Sequence, residues 1–147
     1  MNNPESCSST LAPLVGQWGL ISFDLEVQAT GAQNAAWGLN PKGRLLILPN
    51  SFMIVVLTAA ARPVPTTDIH RAAAFNQTIA YSGPIEIVGD KMQTKVDVSW
   101  NEAWTHTVQA RHFKFIGANL SLISAWAPSP FDPSIIIRGI LEWKREA

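Results

Sequence analysis

One predicted strand, residues 105–116, carries the side chains with the clearest chemical use. In an extended segment Gln109, Arg111 and Phe113 lie on one face, because alternate side chains of a strand point the same way. A guanidinium set among rings and an amide is an unusual surface to leave in water. Arg111 would hold an anion or a carbonyl there, and Gln109 would add a directional hydrogen bond. Alternatively, Arg111 pairs with an inward carboxylate such as Asp24 and only closes the fold.

Tyr81 and His106 are further candidates for proton transfer. Tyr81 shares a predicted apolar face with Ile79 and Ile85, and a phenol buried there needs a partner. It could act as a general acid or oxyanion donor, or be a satisfied core residue. A lone histidine is more often an ordinary surface residue, and of the three histidines His106, which follows a loop at a strand start, is the one expected at the rim. His106 and His112 would lie about 20 Å apart on one strand, so no metal site is predicted.

The orientation of the first predicted strand decides whether carboxylates face the interior. If Trp18 points inward and the strand is regular, Ser22 and Asp24 line the interior as well. The opposite alternation places the apolar residues inside and the carboxylates in water. A bulge after Gly19 would reconcile an inward Trp18 with an inward Ile21.

Tryptophan is abundant, with six residues in a chain of 147. Trp18 and Trp143 are predicted to lie in the core or to plug a barrel end. The remaining tryptophans fall at strand ends or in loops, where they would stack on a flat, unsaturated ligand or cap the fold against water. This rim set is Trp37, Trp100, Trp104 and Trp126.

The elements that must position these residues are short alternating segments separated by turn signals. They predict an all-β fold, a single up-and-down barrel of about eight strands. One short helix is expected near residues 68–75, capped by Thr67 or Asp68 and placed as a lid or crossover. The strands are predicted at residues 17–29, 43–48, 51–58, 78–88, 92–100, 105–116, 120–126 and 134–144.

Length and charge limit the organisation and the partners. A flexible tail is expected at residues 1–10 and one barrel domain at 11–147. The formal net charge is zero and 15% of residues are charged, which argues against nucleic acid and membrane surfaces as partners.

Missing motifs narrow the function further. The single cysteine, Cys7, allows no intramolecular disulfide, and no signal-peptide pattern precedes it, so a cytoplasmic protein is expected. The chain has no phosphate-binding loop, hydrolase elbow or dinucleotide fingerprint, so no cofactor is expected.

Several short motifs occur in order over about residues 12–145: Leu14-Val15-Gly16-x-Trp18-x-Leu20-x-Ser22-Phe23, Asn40-Pro41-Lys42-Gly43, Ala73-Ala74-Phe75, Ile79-Ala80-Tyr81-Ser82-Gly83, Val98-Ser99-Trp100-Asn101, Trp104, Gln109 and Arg111. Together they resemble the lipocalin-like domain family of bacteria and fungi. The resemblance implies a small barrel whose relatives in biosynthesis either act as cyclases or isomerases or only bind. It also supports Gln109 and Arg111 as site residues, whereas His106 departs from the family pattern.

The leading hypothesis is a cofactor-independent isomerase or cyclase that acts on a small, largely apolar biosynthetic intermediate inside the barrel. The candidate catalytic residues are Arg111, Tyr81, Asp24 and His106. The candidate ligand-binding residues are Trp100, Trp104, Gln109, Ser22, Phe113, Trp37 and Trp126.

Two other functions use the same fold. A non-catalytic carrier of a small lipophilic molecule would need the aromatic residues and no ionisable side chain. A structural module would have a filled barrel, and an outward apolar face such as Phe23-Leu25-Val27 would then suit a homodimer.

Overall fold

The alternating segments form the wall of a closed antiparallel barrel, which the computed structural model describes over residues 10–147. Eight long strands follow one another around the wall, and the last pairs with the first, as the sequence predicts. Cys7 and nearly all of the predicted tail lie outside the described residues. The strands are β1 (Gly16–Val27), β2 (Gln33–Ala35), β3 (Lys42–Leu48), β4 (Phe52–Thr58), β5 (Thr78–Val88), β6 (Lys91–Lys95), β7 (Val98–Ser99), β8 (Val108–Ile116), β9 (Asn119–Ser124), β10 (Ala127–Pro128) and β11 (Ile136–Arg145), and the helix is α1 (Asp68–Asn76).

A bulge in β1 decides which of its side chains face inward. The register with β11 slips by one residue at Ile21, which becomes the extra residue. Trp18 faces the interior before the slip, and Phe23 and Leu25 do so after it. Asp24 therefore alternates to the outside. Ile21 itself is 41% exposed, so the predicted inward position of this residue is wrong.

One end of the barrel is closed by Trp18, which confirms the predicted plug. Its indole is fully buried, and Nε1 donates to the carbonyl oxygen of Leu14 at 2.9 Å. The Arg145 guanidinium stacks over the indole at 4.2 Å and donates to the carbonyl oxygen of Val15 at 2.7 Å. Ring, cation and main chain thus hold this end together.

The core fills the half of the barrel next to this plug. Inward aliphatic side chains of β3, β4 and β6 pack there against Trp18 and Trp143. Full burial of a large apolar side chain is worth roughly 1.5–3 kcal/mol, so this layer anchors the wall. Its central members are Leu45, Ile47, Met53, Met92 and Leu120.

The predicted strand that contains Val96 and Val98 is divided into β6 and β7. The backbones of this segment and β5 approach so closely that a Cβ at Gly83 would collide with the carbonyl oxygen of Lys95. The chain turns at this contact, and the alternation of inward and outward side chains is interrupted. Val96 is buried but Val98 is 67% exposed, so the common face predicted for these two residues is wrong.

The helix α1 lies in the connection between β4 and β5, at the end of the barrel opposite Trp18. Thr67 is its N-cap, as predicted, and its hydroxyl accepts the His70 amide at 3.2 Å. None of its residues is buried. Within residues 10–147, no helix has both the length and the apolar character that crossing a bilayer requires.

Candidate functional site

A cavity of about 290 Å³ occupies the half of the barrel away from Trp18. Ala125, Ala127, Pro128 and Pro130 line its outer end, which we call the mouth. At about 30 Å³ for each water-sized group, the cavity holds on the order of ten such groups. A completely filled barrel, expected for a structural module, is therefore wrong. The aliphatic and aromatic lining includes Phe23, Leu25, Val55, Leu57, Ile79 and Leu141.

Arg111 brings a positive charge to this lining. Its Nη1 donates to the carbonyl oxygen of Ala110 at 2.9 Å, and its Nη2 donates to Oε1 of Gln109 at 3.5 Å. These bonds use only part of the five N–H groups of a guanidinium. Among residues 10–147, no carboxylate forms an ion pair with Arg111. The alternative in which Asp24 neutralises it is therefore wrong.

Tyr81 lines the same cavity from β5, and the apolar inward face predicted for it together with Ile79 and Ile85 is confirmed. The residue is 8% exposed, and its hydroxyl makes no hydrogen bond to any described residue. Burial raises the pKa of the Tyr81 phenol, and the positive charge of Arg111 opposes only part of this effect. The phenol is therefore protonated at neutral pH and can donate a hydrogen bond into the cavity.

A row of aromatic rings connects the cavity with α1. The centroids of Tyr81 and Trp104 are 5.4 Å apart, and those of Trp104 and Trp100 are 4.9 Å apart. Trp100 in turn lies 6.1 Å from Phe75 of the helix. Trp104 lines the cavity, whereas Trp100 lies against the outer side of β4 and β5. The two tryptophans, predicted together as ligand residues, thus occupy different positions.

Two other predicted rim tryptophans flank the cavity without lining it. Trp37 packs edge-on against the inward ring of Phe23, with centroids 5.0 Å apart. Trp126 lies under the guanidinium of Arg138 at 4.2 Å. Phe23 and Arg138 line the cavity, so the two tryptophans hold lining side chains in place without contacting the cavity themselves.

The predicted inward face of β8 holds for Arg111 and Phe113, whereas Phe115, predicted on the same face, is 40% exposed. Phe113 packs against the core. Gln109 accepts from Arg111, and its own Nε2 donates to the Thr107 hydroxyl at 2.9 Å. Neither Phe113 nor Gln109 is part of the cavity lining, and Gln109 is placed to position the guanidinium through its hydrogen bond.

The remaining predicted site residues lie away from the cavity. The bulge in β1 turns Ser22 and Asp24 to the outside. His106 is exposed in the loop before β8, with a φ of 67°, and its amide donates to the Val96 carbonyl oxygen at 2.9 Å. In the part of the chain that the structure describes, no three His, Cys, Asp or Glu side chains are grouped as a metal ion would require.

Arg138 is a lining residue that sequence reasoning missed. It stands at the mouth on β11, where its Nη2 lies 2.9 Å from Oε1 of Glu26. Its Nε is buried without a partner among the described residues. Alternation along β11 assigns Ile137 and Leu141 to the interior and Arg138 to the outside, so no local signal indicates that this long side chain reaches the mouth.

Comparison with known proteins agrees with this geometry. The sequence model of the lipocalin-like domain family matches residues 15–146, which is nearly the whole barrel. No curated protein matches the chain significantly.

Proposed function

The chain belongs to the lipocalin-like domain family, whose fold implies a barrel that binds a small molecule. On this basis we propose that the protein is a cofactor-independent isomerase or cyclase. Its substrate is a small, largely apolar biosynthetic intermediate. One observation carries the proposal. Within residues 10–147, the Tyr81 phenol has no hydrogen-bond partner and the Arg111 guanidinium has no carboxylate partner, and both side chains line one small apolar cavity.

The two side chains have complementary roles toward a carbonyl of the substrate. Arg111 binds the carbonyl oxygen and stabilises the negative charge that develops there, an interaction that is strong in an apolar cavity. Tyr81, which remains protonated, donates a hydrogen bond or a proton to the same conjugated system. The surrounding rings, Trp104 among them, hold the substrate in a shape close to the transition state.

The proton balance differs between the two reaction classes. In an isomerisation, Tyr81 gives its proton to one atom of the substrate, and the resulting phenolate takes a proton back from another. A cyclisation that only rearranges π electrons needs no net transfer. Tyr81 and Arg111 then act through hydrogen bonds alone, so neither reaction class requires a further base.

Native mass spectrometry in an extract of the source cells, followed by turnover of the retained molecule, tests the proposal. We expect slow conversion of that molecule to an isomer. Tyr81→Phe should lower the conversion rate by roughly 100-fold or more, as for loss of a general acid, while the molecule is still retained. Equal unfolding midpoints for the variant and the parent protein would show that the fold is intact. Conversion at the parent rate by Tyr81→Phe would contradict the role of the phenol.

A carrier of a small lipophilic molecule is the second candidate, and one observation favours it. Among the described residues, the ionisable groups that line the cavity are a phenol and two guanidinium groups, those of Tyr81, Arg111 and Arg138, which act as hydrogen-bond donors and supply no general base. A carrier needs no proton acceptor. Release of the retained molecule unchanged, with only its affinity altered in Tyr81→Phe, would identify this function.

A further inference from the structure

We propose that the ligand of the cavity is an apolar monocarboxylate, and that its carboxylate binds Arg111. The inference rests on the proposed small-molecule function of the cavity. It concerns recognition of charge, so it holds whether the bound molecule is converted or only carried.

The charge balance of the cavity supports an anion. Arg138 is neutralised at the mouth by Glu26, whose Oε1 lies 2.9 Å from its Nη2. Tyr81 is a neutral phenol. Arg111 is then the one uncompensated charge among the described lining residues. An unpaired charge next to apolar side chains is unfavourable, and a bound anion would remove this cost.

The Arg111 side chain is held ready by a chain of hydrogen bonds. Its Nη2 donates to Gln109 Oε1 at 3.5 Å, and Gln109 Nε2 donates to the Thr107 hydroxyl at 2.9 Å. The Thr107 hydroxyl donates to the carbonyl oxygen of Trp104 at 2.6 Å. Trp104 and Arg111 line the same cavity, so the network ties the guanidinium to the cavity wall and limits the conformational entropy that binding would cost.

The chemistry of the donors favours a carboxylate over other anions. A planar guanidinium matches the two oxygens of a carboxylate, and the Tyr81 hydroxyl supplies a third donor. One uncompensated charge suits a monoanion better than a phosphate monoester, whose charge at neutral pH approaches two.

The volume of the cavity sets the size of the ligand. With room for on the order of ten water-sized groups, the cavity of about 290 Å³ encloses a carboxylate with a short apolar body. Octanoate, which has about ten non-hydrogen atoms, is a suitable probe. Its methyl ester and octylamine have nearly the same apolar body and differ in charge.

Calorimetric titration of the full chain with these three probes tests the proposal. We expect octanoate to bind at least about tenfold more tightly than the ester or the amine, since a hydrogen-bonded charge pair forms only with the acid. Arg111→Met should abolish that preference by lowering the affinity for octanoate to about that for the ester. Lys114→Met is the matched control, because it removes a charge from the same strand on the exposed face, and it should bind like the parent protein.

Three results would overturn the proposal. They are equal affinity of the parent protein for octanoate and its ester, an unchanged preference in Arg111→Met, and no binding of octanoate at millimolar concentration. The first and third results need no variant, so a variant that fails to fold does not remove the test. Because these measurements are made at equilibrium, absence of turnover would leave the preference for the anion intact, and loss of the preference would not by itself exclude catalysis.

Discussion

At the scale of single residues, Tyr81 can be observed without interference. It is the only tyrosine of the chain, so tyrosinate absorbance during a pH titration reports this one phenol. Burial raises its pKa above the ordinary value of 10.0, and we expect the folded protein to show no tyrosinate signal until the pH is above 10. In denaturant the signal should appear near pH 10. A folded-state transition at or below pH 10 would contradict the burial of the hydroxyl.

The same pKa difference links Tyr81 to stability at high pH. Above pH 10 the unfolded chain releases the phenolic proton, whereas the folded protein keeps it until its higher pKa is reached. The free energy of unfolding therefore decreases as the pH rises through this window, because the unfolded state binds fewer protons. Below pH 10 the contribution is fully present, and Tyr81→Phe lacks this pH dependence.

The orientation of a side chain could be predicted where its own strand determines it, and its partners could not where another strand supplies them. The inward face of β8 followed from its own composition, because Arg111 and Gln109 alternate with a surface-like set. The absence of a carboxylate partner for Arg111 among the described residues could not be predicted. It depends on the orientation of Asp24, which a one-residue bulge elsewhere in the chain reverses.

At the scale of elements, the bulge in β1 lets the strand keep its apolar side chains inward although it carries one extra residue. Deletion of Ile21 removes that residue and makes Leu20–Trp143 and Ser22–Glu142 consecutive pairs, so Phe23 and Leu25 stay inward and Asp24 stays outward. We expect the native barrel to persist in far-ultraviolet circular dichroism, with the free energy of unfolding changed by no more than about 2 kcal/mol in urea denaturation.

Deletion of Asp24 is the matched control, because it shortens the same strand by one residue beyond the bulge. It turns Leu25 outward and Glu26 inward, and exposing a large apolar side chain while burying a carboxylate costs several kcal/mol. Equal unfolding midpoints for the two deletion variants would contradict the assignment of Ile21 as the extra residue.

The strands themselves were largely predictable, since eight alternating segments and their turns coincide with the wall of the barrel. The division between β6 and β7 was not. It arises where Gly83 of β5 lets its backbone approach Lys95, a contact between strands that neither segment encodes alone. Likewise, Thr67 indicated the start of α1 through a local hydrogen bond, whereas the ring contact of Phe75 with Trp100 is tertiary.

At the scale of the whole molecule, Arg145 fastens the closed end. Its guanidinium stacks on Trp18 and donates to the carbonyl oxygens of Val15 and Pro13, at 2.7 and 2.6 Å. Arg145→Met keeps an apolar stem but removes the charge and both hydrogen bonds. We expect the free energy of unfolding to fall by about 1–3 kcal/mol, measured by urea denaturation.

Arg71→Met is a suitable comparison for this variant, because Arg71 pairs with Asp68 on exposed α1 and an exposed pair contributes little. A change in unfolding free energy no larger than that of Arg71→Met would mean that Arg145 does not stabilise the closed end. The closure itself was expected, because Trp18 was predicted to lie in the core or to plug a barrel end. The size of the cavity was not, because it is the volume that remains after every inward side chain has been packed.

The closed end also determines how molecules follow one another through the barrel. In the part of the chain that the structure describes, Trp18 and Arg145 close the end of the barrel opposite the mouth. A bound molecule therefore leaves through the same opening by which the next one enters. Ligand exchange is therefore sequential, and the bound molecule has to dissociate before the next one can enter. The concentrations of competing molecules in solution determine which one binds next, but the rate of exchange is limited by the dissociation rate of the bound molecule.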